Sequence, residues 1–308
     1  MSKPQRVFIV GATGTTGTSI VDGLLEDPKY HVIAAIRPAS ASKPEVEALK
    51  TRGVEIRIVD LESESIEQLR EHIKDADTVI AALAVKQFSL QTPLIKAAKE
   101  AGIKRFIPCD WATAAIRGIR DNYDEKAKYH DLIKEIGLPY TFIDVGWWYQ
   151  IGLPIIDPAK EPFPGTAEIS TTIYGTGNVK SALTDVRDIG KFVARIISDE
   201  RTLNKYVFCW GEHHTQNEIF AIAERVSGKP IPTKVMPAEN ILPLADAQAP
   251  GTLKRTLMQY FNSLYVRGDN TVENAKKEEY GGALDARELY PDIKVRSLEA
   301  YAEEYYSK

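Results

Sequence analysis

The chain carries 308 residues, 44% of them hydrophobic and 27% charged, with a formal net charge of −4 at pH 7. A chain of that size buries a core without disulfide or metal staples, and neither its charge balance nor any Lys/Arg run argues for a nucleic-acid backbone or an anionic membrane as partner. Two cysteines, Cys109 and Cys209, exclude a disulfide framework and fit a reducing compartment.

MSKPQR leads directly into a strand-like run, with no charged-then-apolar leader. No apolar stretch approaches the roughly 18 residues of a spanning helix, so a cytoplasmic location is expected. Val7–Val10 reads as a strand, followed by glycines at 11, 14 and 17 and a helix near Thr15–Glu26. HVIAAI, VEIRIVDL, DTVIAAL, KRFIP and LPYTFIDV then alternate with the helical stretches PEVEALKTRG, SIEQLREHIK, LIKAAKEAG and EKAKYHDLIKEIG. Short connections between apolar strands and helices predict an α/β fold, a doubly wound parallel sheet covered on both faces.

After Asp144 the pattern changes. GWWYQIGLPIIDPAKEPFPG is rich in aromatics, proline and glycine and holds no long periodic run. Beyond it, DVRDIGKFVARIISDE reads as an amphipathic helix, KYVFCW as a strand, and TQNEIFAIAERVSG as a helix capped by Thr215. The expected division is a dinucleotide-binding Rossmann domain over 1–150 and a smaller, irregular α+β substrate-binding region over 151–308. KYVFCW is apolar enough to return to the main sheet.

Three bare backbones between a strand and a helix point to a phosphate group. Gly11 permits the tight turn, Gly14 lets a pyrophosphate approach the main chain, and Gly17 lets the helix pack closely. The helix N-terminus offers unpaired N–H groups and the positive end of its dipole, and Thr13, Thr15 and Thr16 add hydroxyl donors. At the tip of the second strand, AAIRPASASK carries Arg37 and no acid before Glu45. A guanidinium there grips a 2′-phosphate where an acid would accept ribose hydroxyls, and Lys43 is a nearby second cation. NADPH is therefore the expected cofactor.

The Tyr-x-x-x-Lys spacing of most short-chain reductases is absent from the region where it would fall, because Tyr123 and Lys126 are separated by two residues. On the helix before the sixth strand, Tyr129, Leu132, Ile133 and Ile136 form the apolar stripe, with Lys134 nearly opposite in solvent. Lys126 and Lys128 flank the stripe, and periodicity does not choose between them. Trp147, Trp148 and Tyr149 follow the sixth strand, where flat rings suit either a core or a flat ligand. His213 and His214 point to opposite sides of an extended chain, so no metal site is expected. Cys109 reads as a small buried residue, and Asp185 and Asp188 as caps of the following helix.

Several pieces of the chain carry a resemblance: GATGTTG, Arg37, LIKAAKEAGIKRFIP, KAKYHDLIKEIGLPYTFI, TLNK and LYPDIKVRSLEAYAEEY. Together they resemble the NmrA-like group of atypical short-chain reductases, and especially its isoflavone reductase-like branch, which includes phenylcoumaran benzylic ether, pinoresinol–lariciresinol and eugenol-forming reductases. The resemblance implies that the lysine heading the helix before PYT is catalytic, which is Lys126. It also implies a small aromatic substrate, a phenolic ether, enone or carbonyl compound, with hydride from NADPH and Lys126 as general acid or base. A lysine partly desolvated beside a nicotinamide has its pKa lowered from about 10.4 toward ~7–8, where it exchanges protons near neutral pH. The chain departs from the branch at PCDWA (Pro108–Ala112), where Pro-Ser-Glu-Phe-Gly is usual, which leaves the substrate open. Other members of the group are non-catalytic NADP sensors that bind a partner protein; Lys126 favours the enzyme. No nucleic acid or membrane partner is expected, and the reading admits a homodimer.

Overall fold

Val7, Phe8 and Ile9 have no accessible surface, although successive residues of a strand point to opposite faces. A strand buried on both sides belongs to a sheet with helices over each face. The computed structural model, which describes residues 3–157, 159, 161 and 166–307, is built around such a sheet. Its strands are β1 (Gln5–Val10), β2 (Tyr30–Ile36), β3 (Glu55–Ile58), β4 (Thr78–Ala81) and β5 (Arg105–Ile107), in the order β3-β2-β1-β4-β5. Every pairing is parallel; Val7 of β1, for example, sits between Val32 of β2 and Thr78 of β4. The helices α1 (Thr15–Leu25), α2 (Pro44–Thr51), α3 (Ile66–Ile73), α4 (Gln91–Glu100) and α5 (Asp121–Glu135) alternate with them. A sixth strand, β6 (Thr141–Asp144), follows α5. A parallel bridge between Phe106 and Tyr140 leads from β5 toward it, and β6 is the neighbour of a later strand, Lys205–Phe208.

The chain divides into two compact units, each discontinuous. The first comprises Met1–Trp111, Glu125–Ile143 and Arg187–Val207, and the second Ala112–Asp124, Asp144–Val186 and Phe208–Lys308. A single cut after residue 150 would assign Arg187–Val207 to the second unit, whereas the contacts of this segment tie it to the first. The helix Val186–Ile196 crosses α1 at two glycines. A Cβ on Gly190 would stand 1.7 Å from the Ser19 carbonyl oxygen, and one on Gly23 2.2 Å from Gly190. Backbones can approach that closely only without side chains. The Ser19 hydroxyl accepts a hydrogen bond from the Gly190 N–H at 3.0 Å, and Arg105, 4% exposed, donates to the carbonyls of Ile196 and Asp199 and to the Thr202 hydroxyl.

The second unit is a patchwork of short elements. One three-stranded sheet has the order Glu212–His214, Ser181–Thr184, Trp147–Trp148, and Thr172–Tyr174 pairs in parallel with Lys234–Met236. Its core gathers Trp147, Tyr149, Tyr174, Phe261, Leu264 and Tyr301. The helix Gln216–Ser227 opens on the expected cap: the Thr215 hydroxyl accepts from the Glu218 N–H while the Glu218 carboxylate accepts from the Thr215 N–H. In the proline-rich segment, residues 158, 160 and 162–165 lie outside the described residues. Among the described residues, no helix is long and apolar enough to cross a membrane.

Candidate active site

The strand order reverses direction between β1 and β4, and in open parallel sheets the crevice at the carboxyl ends of such strands is where ligands bind. Gly11 follows β1 with φ +83°, and a Cβ there would lie 2.1 Å from the carbonyl oxygen of Ala82, just past β4. Gly17 is equally constrained, its hypothetical Cβ falling 1.9 Å from the Gly11 carbonyl oxygen. Gly14 differs. Its φ is −79°, and a Cβ would meet only the Gly11 carbonyl oxygen, at 3.3 Å. The fold therefore demands glycine at 11 and 17, whereas Gly14 is exposed and only moderately constrained.

Gly14 is also the N-cap of α1, where no side chain caps the helix and no acid occupies the first turn. The contrast within the same chain is informative: α3 carries a complete capping box from Ser65 and Gln68. An eleven-residue helix that leaves its first N–H groups bare offers them to an anion. Thr13 and Thr15 are exposed beside this turn and Thr16 is buried. A pyrophosphate fits this cradle on geometry alone. Arg37, at the tip of β2, and Lys43, preceding α2, are both exposed. Asp60 is near enough for Arg37 to contribute to its low pKa, although the Ser63 hydroxyl does more.

A short series of contacts leads from the glycine turn to a lysine. Gly11 rests on Ala82; the next residue, Leu83, exchanges hydrogen bonds with the Cys109 sulfur through its N–H (3.2 Å) and carbonyl (3.0 Å). Asp110 follows, and its main-chain carbonyl accepts a hydrogen bond from Lys126 Nζ. Lys126 is 8% exposed and its ammonium stands 5.5 Å from the centre of the Phe88 ring. Lys128, by contrast, has a side chain 68% exposed and pairs with Glu125 at 2.5 Å. Burial separates two lysines that helical periodicity treats alike. The buried face of α5 is Lys126, Tyr129, His130 and Ile133, with Ala127, while Leu132 and Ile136 are only partly covered. The apolar stripe expected from the sequence is thus displaced, because two polar residues occupy the inward positions.

His130 and Asp110, neither singled out by the sequence, form a buried pair: His130 Nε2 lies 2.8 and 3.0 Å from the two carboxylate oxygens of Asp110. Both are 4% exposed. A histidine one turn after the lysine, and an aspartate in the stretch that departs from the familiar pattern, are the signals that could have found them. Cys109 is buried as expected, and burial above all pushes its thiol up to about 11.

The aromatic run is placed less openly. Tyr149 has no accessible surface, its ring packs on Tyr301 and its hydroxyl donates to the Arg296 carbonyl at 3.1 Å. Trp147 is buried against Tyr260 and Phe261. Of the three, Trp148 alone retains appreciable surface. The Asp185 carboxylate accepts from Gln150 Nε2 at 2.8 Å, and Asp188 pairs with Lys191 at 2.6 Å. The second unit also holds a cavity of about 520 Å³ whose wall includes Ile169, Tyr174, Met236 and Met258, together with the ion pair of Lys234 and Glu168. That is the size of a small-molecule site.

A parallel sheet with a glycine turn at its switch point defines a fold of the Rossmann type. The chain belongs to the NmrA-like family, whose model matches residues 3–302. It is 38% identical to asnovolin J 5′,6′-dehydrogenase of Aspergillus novofumigatus, over 97% of this chain and 94% of that one. It is 31% identical to a phenylcoumaran benzylic ether reductase of Nicotiana tabacum, over 98% of each. Among solved structures it is similar to the binary complex of leucoanthocyanidin reductase with NADPH from Vitis vinifera, with a TM-score of 0.83 and 25% identity over 98% of this chain and all of that one.

Proposed function

We propose that the protein is an NADPH-dependent oxidoreductase acting on a small aromatic compound, a phenolic ether, enone or carbonyl, with Lys126 as general acid or base. The observation that carries this reading is the buried ammonium of Lys126, linked through Asp110, Cys109 and Leu83 to the glycine turn. When bound, the nicotinamide supplies the hydride. The chain's own residues do the rest. The bare N-terminus of α1 and the cradle over Gly14 hold the pyrophosphate, and Arg37 with Lys43 receives the 2′-phosphate. An ammonium has three N–H donors; the Asp110 carbonyl takes one and fixes the direction of the others toward a substrate oxygen. Donation from Nζ neutralises charge developing on a carbonyl or ether oxygen, and the neutral amine accepts the proton of a phenol in the reverse sense. A relative named as a phenylcoumaran benzylic ether reductase, and the largely apolar cavity of the second unit, support a flat, apolar substrate.

The test is direct. The protein is mixed with NADPH and a panel of phenolic ethers, quinones and enones, and absorbance of the reduced nicotinamide is followed. Because one relative is named a dehydrogenase, the same panel in reduced form is run with NADP⁺. Turnover lost in Lys126→Met supports the reading. No turnover in either direction, together with a nucleotide-dependent change in binding to another protein, would replace it with the sensor.

A further inference from the structure

Asp110 touches two residues of α5 in two different ways. Its main-chain carbonyl accepts from Lys126 Nζ, and its carboxylate faces His130 Nε2 at 2.8 and 3.0 Å. Lys126 and His130 are four residues apart, one turn on the same helix face. The imidazole is itself fixed from two further sides: Nδ1 stands 3.1 Å from the Tyr206 hydroxyl, and the ring stacks on Phe142 with centroids 4.0 Å apart. Every polar atom of a neutral ring is then satisfied, with Nε2–H donating to the carboxylate and Nδ1 accepting from the tyrosine.

The segment that carries Asp110 is held under constraint. Trp111 has φ +32°, in the region that side chains avoid. Its indole N–H donates to the Ala81 carbonyl at 2.7 Å, and the Cys109 N–H donates to Gln91 Oε1 at 2.7 Å. The orientation of the Asp110–Trp111 peptide therefore depends on side-chain anchors rather than on a regular ladder. That peptide carries the carbonyl on which Lys126 rests.

We propose that Asp110 and His130 are positioning residues for Lys126: the buried carboxylate–imidazole pair fixes the Asp110 carbonyl, and the carbonyl aims the ammonium. The proposal rests on the reading of Lys126 as the proton-handling group, and its first readout is independent of any substrate. Competitive acetylation with acetic anhydride, quantified by mass spectrometry, compares the reactivity of Lys126 with that of exposed Lys128 in the same helix. In the unaltered protein Lys126 is the slower. His130→Leu breaks the pair, frees the amine, and raises the Lys126 to Lys128 ratio several-fold. His130→Gln places an amide N–H near the position of Nε2–H and returns the ratio to its original value. Asp110→Ala keeps the main-chain carbonyl and deletes only the carboxylate, so it separates the two functions of this residue. A raised ratio shows that the carboxylate is what holds the carbonyl; an unchanged ratio in both His130→Leu and Asp110→Ala overturns the proposal. Where a buried charge left alone prevents folding of a single variant, the double variant Asp110→Ala with His130→Leu removes both partners and is judged by the same ratio. With a turned-over substrate, His130→Leu lowers kcat by ~10- to 100-fold with little change in KM, the scale on which a misaimed group costs rate, and His130→Gln restores it. A raised acetylation ratio with normal turnover would sink the catalytic reading of Lys126 and leave the positioning intact.

Discussion

Replacing Gly14 with alanine separates a phosphate cradle from an ordinary turn. At φ −79° and ψ 169° the backbone suits any residue, and the new methyl meets one protein atom, the Gly11 carbonyl oxygen, at 3.3 Å. A shift of a few tenths of an ångström relieves that contact. Alanine is the poorer N-cap, so stability should fall by about 0.5–1 kcal/mol, or about 1–4 °C in the melting midpoint for a chain of this size. The methyl nevertheless projects into the space where a pyrophosphate would approach the first turn of α1. Losing one charge-assisted hydrogen bond costs about 1.5–3 kcal/mol, so calorimetry should find NADPH binding weakened by ~10- to 150-fold. Gly17→Ala provides the contrast: its methyl would start 1.9 Å from a carbonyl oxygen, so both folding and binding should suffer. A Gly14→Ala protein that folds and binds NADPH with unchanged affinity would refute the cradle.

Arg37→Asp should erase a preference for NADPH over NADH, read as the ratio of the two dissociation constants, because the attraction for a 2′-phosphate becomes repulsion. Lys126→Met should lower turnover by ~10²–10⁴ while NADPH affinity changes little; Lys128→Met, on the exposed face, should leave turnover nearly normal. Acid stability should follow a surface cluster on the first unit. Burial works to raise the Glu55 pKa, but hydrogen bonds from His31, Arg57 and Arg6 outweigh it and hold the carboxyl at about 2, while Arg57 does the same for Asp75. Both carboxyls are depressed, so their contribution is present above the ordinary carboxylate range and is lost as pH falls from about 4.5 toward about 2. Urea midpoints measured across that window should decline less steeply in Glu55→Gln than in the unaltered protein.

The parallel sheet was legible because its strands are unbroken apolar runs separated by helices at regular intervals. The glycine turn was legible because three glycines fall between a strand and a helix, and the Thr215 cap because Thr and Glu stand three apart before an apolar helix. The inward face of α5 was not. A wheel weighted by hydrophobicity cannot register Lys126 and His130 as buried, since the polar atom of each is met inside by Asp110. That partner lies 16 residues from Lys126 and 20 from His130 in sequence, a separation no local period reports. The second unit was opaque for a different reason: strands of two to four residues carry too few alternations to reveal a period. Tyr149 illustrates the cost, since an aromatic cluster looks the same in a sequence whether it faces a ligand or, as here, packs on Tyr301.

The notch of bare backbone between α1 and Val186–Ile196 bears on how such a protein can be taken apart. The helix that follows the glycine turn is wedged, at Gly23, against Gly190, a residue 167 positions later in the chain. A fragment ending near residue 150 would contain the whole glycine turn, yet it would expose the flank of α1 and leave Arg105 without the carbonyls of Ile196 and Asp199. The parallel-sheet unit is thus not a cassette. Fusing another segment after residue 150 would discard the piece that seats its first helix; a workable exchange has to splice around Arg187–Val207 and keep it. Exchange of contiguous gene segments at a single boundary near residue 150 accordingly cuts through the first unit itself.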